Sequence, residues 1–154
     1  MTEVNRRDFV AATAGSVALV VMGCLCGSAE PKEDTQTTVD IGKPADYPTG
    51  ALSDKFAASH KLLVASLGGK IYAMTAVCTH RKGTIGLKDG RFRCPRHGSV
   101  FSTDGQVVKG PAKVPLVRLG IALDGKGNLI VDKSKTFKED KWGDPASYYT
   151  VQTR

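Results

Sequence analysis

Two short segments of this chain each set a cysteine close to a histidine: Cys78-Thr79-His80 and Cys94-Pro95-Arg96-His97-Gly98-Ser99. Thiolates and imidazoles are good ligands for zinc and iron, and two such pairs make a four-ligand site if the chain folds back between them. The thirteen residues between the segments, 81–93, contain Asp89-Gly90, a tight-turn signal flanked by short β-like runs. A hairpin turning there brings the two loops side by side. Read alone, Cys78 and Cys94 would suggest a disulfide in an exported protein; the neighbouring histidines shift the reading to metal.

Zinc sites usually pair Cys with Cys at two to four residues, whereas here each loop supplies one Cys and one His. A two-iron cluster with two thiolates on one iron and two imidazoles on the other accounts for that mixture. Cys-x-His followed by Cys-x-x-His-Gly resembles the Rieske family, and Gly110-Pro111-Ala112 with Pro115-Leu116 resembles the proline loop that covers its cluster. The likeness runs over about residues 39–132. It implies an all-β fold, an antiparallel sandwich with a cluster-binding subdomain. It also implies one [2Fe–2S] cluster per chain held by Cys78, His80, Cys94 and His97, with the Ser99 hydroxyl donating to a cluster sulfur. A zinc-stabilised binding module without redox chemistry is the alternative of a different class.

Two departures from the family pattern bear on potential. High-potential members usually carry a further cysteine in each loop, forming a disulfide; here Lys82 or Gly83 lies near the first position and Arg96 holds the second. Those members also have a tyrosine donor where this chain has Phe101, which lacks a hydroxyl. Each donor to sulfur favours the reduced, more negative cluster, so one of two such contributions is missing. Positive charge from Arg81, Lys82, Arg91, Arg93 and Arg96 acts in the opposite direction, and these residues read equally as a solvated basic face or a docking face. His60, the only other histidine, reads as a surface residue. A Rieske oxygenase needs a second, mononuclear iron with two more histidines, and this chain does not have them.

The remaining pattern is β-rich. Apolar runs at 39–42, 61–66, 71–76, 84–87, 91–94, 100–102, 106–109, 116–123 and 129–132 are separated by Gly68-Gly69, Asp89-Gly90, Asp104-Gly105 and Asp124-Gly125, each a source of positive φ. This predicts an antiparallel domain of about nine strands at 39–133, followed by a tail at 134–154 whose Trp142, Tyr148 and Tyr149 either pack on the sheet or meet a partner. The net charge is +7, and residues from Glu30 onward carry 20 basic against 13 acidic side chains, so the excess belongs to the domain. No basic helix or interleaving of cations with stacking aromatics suggests nucleic acid.

Arg6-Arg7 precedes an uncharged apolar stretch ending at Ala29, so residues 1–29 resemble a twin-arginine signal or helical membrane anchor, and 30–38 read as a flexible linker. Cleavage after Ala29, lipidation at Cys24 and retention of the apolar stretch of about 20 residues as a membrane span are all compatible with the pattern. Twin-arginine export carries folded proteins, which suits a cofactor inserted before export. The resulting expectation is a one-electron carrier, tethered through its N-terminus on the extracytoplasmic (periplasmic) face of a bacterial membrane. It would serve a cytochrome b-type or other quinol-oxidising subunit, with a c-type cytochrome as acceptor. An electron-transfer subunit of a periplasmic molybdenum oxidoreductase of the arsenite oxidase kind is the second expectation. Replacing Arg6 and Arg7 together by Lys should leave the protein in the cytoplasm with its cluster bound, as read by fractionation and electron paramagnetic resonance; normal export of the double variant would refute the signal.

Overall fold

The computed structural model describes residues 37–152. The expected signal or anchor and nearly all of the expected linker lie outside the described residues. Eleven strands form two antiparallel sheets, with no α-helix among the described residues. The larger sheet has the order β1 (Thr38–Gly42), β10 (Leu129–Phe137), β9 (Arg118–Leu123), β4 (Lys70–Thr75), β3 (Leu62–Leu67), β2 (Leu52–Ser53), with β11 (Tyr149–Thr150) also paired to β4. The smaller sheet is a meander, β5 (Gly86–Lys88), β6 (Arg91–Arg93), β7 (Val100–Phe101), β8 (Val107–Lys109).

The β3–β4 hairpin joins the two parts because both of its faces are buried. Side chains alternate across a strand. Accordingly Leu62, Val64, Ile71 and Ala73 pack with Val39, Ile41, Leu119, Ile121, Leu129 and Val131 in one core. On the opposite face Leu63, Ala65, Tyr72 and Met74 pack with Ile85, Phe92, Phe101 and Leu116 of the small sheet and its loops. Five successive residues, Leu62 to Ser66, are therefore buried, the continuous pattern expected of a strand covered on both sides.

The strand boundaries follow the sequence reading closely, with informative exceptions. Thr84 is not in β5; it makes only an isolated bridge to Val77, at the point where the chain leaves the large sheet for the small one. β10 runs beyond the expected boundary at residue 133, because a register shift between Asp132 and Thr136 takes up Lys133-Ser134-Lys135 and returns Phe137 to the interior. The bulge breaks the polar–apolar alternation that would have marked the strand. The tail then packs back on the large sheet: β11 pairs Tyr149 with Ile71 and Thr150 with Lys70.

Arg118 ties this tail to both sheets. It is 5% exposed, and its guanidinium lies 4.2 Å from the Tyr72 ring and 4.0 Å from the Trp142 ring. It also donates from Nη2 to the Asp104 carbonyl at 2.9 Å. A buried cation is costly unless its donors and charge are answered; two aromatic faces and a carbonyl answer much of it here. The Asp104 turn is the β7–β8 connection, so one side chain anchors the small sheet, the large sheet and the tail.

The same turn needs its glycine. Gly105 has φ +96, and a Cβ there would meet Met74 Sδ at 2.8 Å. Gly125 departs from the positive φ expected of it, which Gly127 supplies in that turn at φ +85, and it has no neighbour within 4 Å of such an atom. Gly105→Ala should therefore destabilise the protein by about 2 kcal/mol, through backbone strain and overpacking, while Gly125→Ala stays within about 0.5 kcal/mol. Urea denaturation midpoints of the two variants check this.

Candidate metal centre

The two Cys/His segments have become matching backbone loops at one end of the small sheet. In the first, the Cys78 N–H donates to the Gly83 carbonyl at 2.8 Å and the Lys82 N–H to the Cys78 carbonyl at 2.9 Å. In the second, the Cys94 N–H donates to the Ser99 carbonyl at 2.9 Å and the Gly98 N–H to the Cys94 carbonyl at 3.0 Å. Each loop places its fifth residue in the left-handed region, Lys82 at φ 49 and Gly98 at φ 75. A lysine in that region costs of order 1 kcal/mol, which the loop closure and surrounding core hold in place.

The hairpin turn that pairs the loops is the expected one. Asp89 and Gly90 have φ 53 and φ 67, the double positive φ of a two-residue hairpin turn. β5 and β6 pair Gly86 with Arg93 and Lys88 with Arg91, so both loops leave the same end of the hairpin.

The thiols and imidazoles occupy different depths. Cys78 and Cys94 are each 2% exposed and free, whereas His80 is half-buried and His97 exposed. Burial pushes the Cys94 thiol up, the nearby Cys78 thiol adds to this, and the backbone N–H groups of Arg96 and His97 directed at its sulfur act in the opposite sense. Those N–H groups are suited to a metal-bound thiolate, which carries negative charge away from water. The His80 and His97 rings stand 4.9 Å apart, centroid to centroid, and edge to face at 87°. Desolvation holds His80 below the ordinary imidazole value, with the positive charges of His97 and Arg81 contributing; this favours the neutral form a metal needs. Its Nδ1 is buried with no hydrogen-bond partner in the protein.

A third loop closes over these two. The Ala112 N–H donates to Ser99 Oγ at 3.0 Å, and Thr79 Oγ1 donates to the Val114 carbonyl at 2.6 Å. Ser99 is fully buried, and because its oxygen accepts from Ala112 its own hydrogen is left for another acceptor. Sequence reasoning missed Thr79, whose tie to Val114 spans 35 residues and has no local signature.

The structure also decides between Lys82 and Gly83 at the position facing Arg96. A Cβ on Gly83 would lie 2.9 Å from Arg96 Cδ and 3.0 Å from Cys94 Sγ. Gly83 is therefore the facing residue, and the Arg96 stem fills the space between the loops. Phe101 is fully buried, paired with Phe92, and packs in the core that contains both cysteines. His60 departs from the surface position expected for it: it is half-buried with its ring 6.2 Å from that of Phe56, and it lines an apolar groove of about 670 Å³ beside the first ligand loop. The turn of chain at 54–60 that leads into β3 carries it inward.

The donor set fits a two-metal cluster better than a single ion. Among the described residues no three His, Cys, Asp or Glu side chains converge on one point, as a mononuclear zinc site would need. The thiols form one pair and the imidazoles another, and a [2Fe–2S] group needs two protein ligands on each iron.

Comparison with known proteins agrees. The family model for the Rieske [2Fe–2S] domain matches residues 25–124. The cytochrome b6-f complex iron-sulfur subunit of Chlorobaculum thiosulfatiphilum is 28% identical over 96 residues, covering 61% of this chain and 52% of that protein. The chloroplastic choline monooxygenase of Amaranthus tricolor is 35% identical over 108 residues, covering 61% of this chain and 23% of that protein. The crystal structure of a plasma membrane Rieske protein from Synechocystis PCC 6803 is 27% identical, with a TM-score of 0.44, covering 61% of this chain and 98% of that one. The chain spans about half the length of the b6-f subunits from Chlorobaculum that it matches. Because the family match takes in both Cys/His loops and the loop covering them, and spans well over half of the chain, this protein belongs to the family of Rieske [2Fe–2S] domains and carries one [2Fe–2S] cluster.

Proposed function

We propose that the cluster is held by Cys78 and Cys94 on one iron and His80 and His97 on the other. On this reading the protein is the one-electron carrier of a quinol-oxidising, cytochrome b-type membrane complex, tethered through residues 1–29 on the extracytoplasmic face and delivering electrons to a c-type cytochrome. The observation that carries the reading is the difference in depth between buried thiols and outward imidazoles. The similarity to b6-f iron-sulfur subunits supports the choice of complex.

The bound cluster would supply a one-electron couple. The protein supplies the rest. Cys78 and Cys94 exclude water from the thiolate side, and the N–H groups of Arg96 and His97 stabilise negative charge there. The exposed His97 edge is where a quinol hydroxyl would hand over its proton as its electron leaves. The Val114 side chain, 60% exposed on the covering loop that Thr79 ties to the first ligand loop, offers apolar surface to a quinol ring.

The purified protein should contain two irons and two acid-labile sulfides, and replacement of any one of Cys78, His80, Cys94 or His97 should abolish its Rieske resonance signal. One equivalent of zinc without labile sulfide would refute the ligand assignment. Solubilising native membranes in detergent should co-purify a cytochrome b-type subunit; a molybdopterin subunit in its place would refute the complex.

The potential should respond to two buried positions in opposite directions. Ser99→Ala removes a hydroxyl directed inward and should lower it, whereas Phe101→Tyr adds a donor in the core behind Cys94 and should raise it. Protein-film voltammetry at one pH reads both signs, and an unchanged value in Ser99→Ala would show that the hydroxyl does not reach a sulfur.

A further inference from the structure

The positive charge of this chain is concentrated at the cluster end. Residues 76–116 contain eight Lys and Arg against two Asp, which is six of the seven net positive charges of the whole sequence. Folding sharpens the asymmetry. Arg81 and Lys82 on the first ligand loop, Arg96 on the second and Lys113 on the covering loop are all exposed, and these three loops meet where His80 and His97 come together. Neither carboxylate of the segment belongs to those loops. Asp89 sits at the opposite end of the β5–β6 hairpin, 3.8 Å from Arg93. Asp104 lies in the β7–β8 turn, where it accepts from the Ser102 hydroxyl. From the large-sheet side, Asp54 accepts the Leu87 N–H at 2.7 Å on the flank of β5 and lines a cavity there with Arg93, Cys94 and Pro95.

The same three loops also carry exposed apolar residues: Val114 of the covering loop, 60% exposed and tied to the first ligand loop through Thr79, Pro111 of the covering loop and Pro95 of the second ligand loop. An apolar centre within a charged rim is the usual anatomy of a protein contact. For an electron carrier, the centre allows close approach of two cofactors, and the rim attracts and orients the partner.

We infer that this tip is a docking face for an acidic redox protein, one that presents carboxylates around the exposed edge of its own cofactor. The inference rests on the electron-transfer reading and specifies the partner's surface. An anionic bilayer would also attract the cations, but it has no cofactor edge to set against the imidazoles, so a protein partner is the better match. Transfer moves one electron from the reduced cluster to an oxidised haem iron, with no bond made or broken.

The test uses the full chain in detergent micelles, its cluster reduced, mixed by stopped flow with two probes: a small acidic c-type cytochrome and the basic mitochondrial cytochrome c. The bimolecular rate with the acidic probe should fall about tenfold or more as salt rises from roughly 10 to 300 mM, while that with the basic probe rises or stays level. Lys113→Ala and Lys113→Glu should lower the acidic-probe rate at low salt by about twofold and threefold, with the Rieske signal retained and the potential measured alongside so that the rates are compared at equal driving force. Rates equal for the two probes, or insensitive to salt and to charge reversal, would overturn the inference. So would variants that keep both cytochrome rates yet lose preference for phosphatidylglycerol over phosphatidylcholine vesicles, which would assign the face to lipid. Failure of the electron-transfer reading itself looks different: no transfer to either cytochrome from a protein whose Rieske signal is intact.

Discussion

On the proposed ligand assignment, two thiols sit in the interior of a small β subdomain and carry negative charge there once metal is bound. Water cannot solvate them at 2% exposure, so the backbone has to. The N–H groups of Arg96 and His97 point at the Cys94 sulfur, which requires a tight loop, and that loop is closed by the Cys94 and Gly98 N–H groups. The first loop repeats the pattern with Lys82 in the left-handed position that Gly98 fills in the second. The hairpin, the doubled loops and the covering loop all serve this requirement.

On the same proposal the imidazoles face a different demand, since a ligand that exchanges protons with a substrate has to meet the outside. Its loop spacing provides this: His80 lies two residues after its cysteine and His97 three after its own, which brings the rings together edge to face nearer the surface. Thr79 and Ser99 then bind the covering loop from both sides. The Arg96 stem lies over Gly83 and Cys94, so a flexible cationic side chain fills the space between the two loops and keeps positive charge beside them.

The second organising element is the β3–β4 hairpin, buried on both faces. It makes the cluster end and the large sheet share a wall. Arg118 reinforces that wall by stacking between Tyr72 of β4 and Trp142 of the tail while holding the Asp104 carbonyl. The tail is thus part of the fold that positions the small sheet.

Local chemistry and periodicity were enough to read the two Cys/His loops, the turn between them and most strands. Cys-x-His, Cys-x-x-His-Gly and Asp89-Gly90 are short-range patterns whose meaning depends on spacing and on φ preferences. The extension of β10 escaped because a bulge interrupts alternation, and β2 and β11 escaped because two-residue strands are too short to show any. Which residue faces Arg96, what Thr79 and Arg118 bind, where the tail goes and which cations surround the histidines were decided only by tertiary structure. Each depends on groups brought together from distant parts of the chain, such as Thr79 with Val114 or Tyr72 with Trp142, and nothing in the spacing of residues along a sequence encodes such a meeting before the sheets have packed.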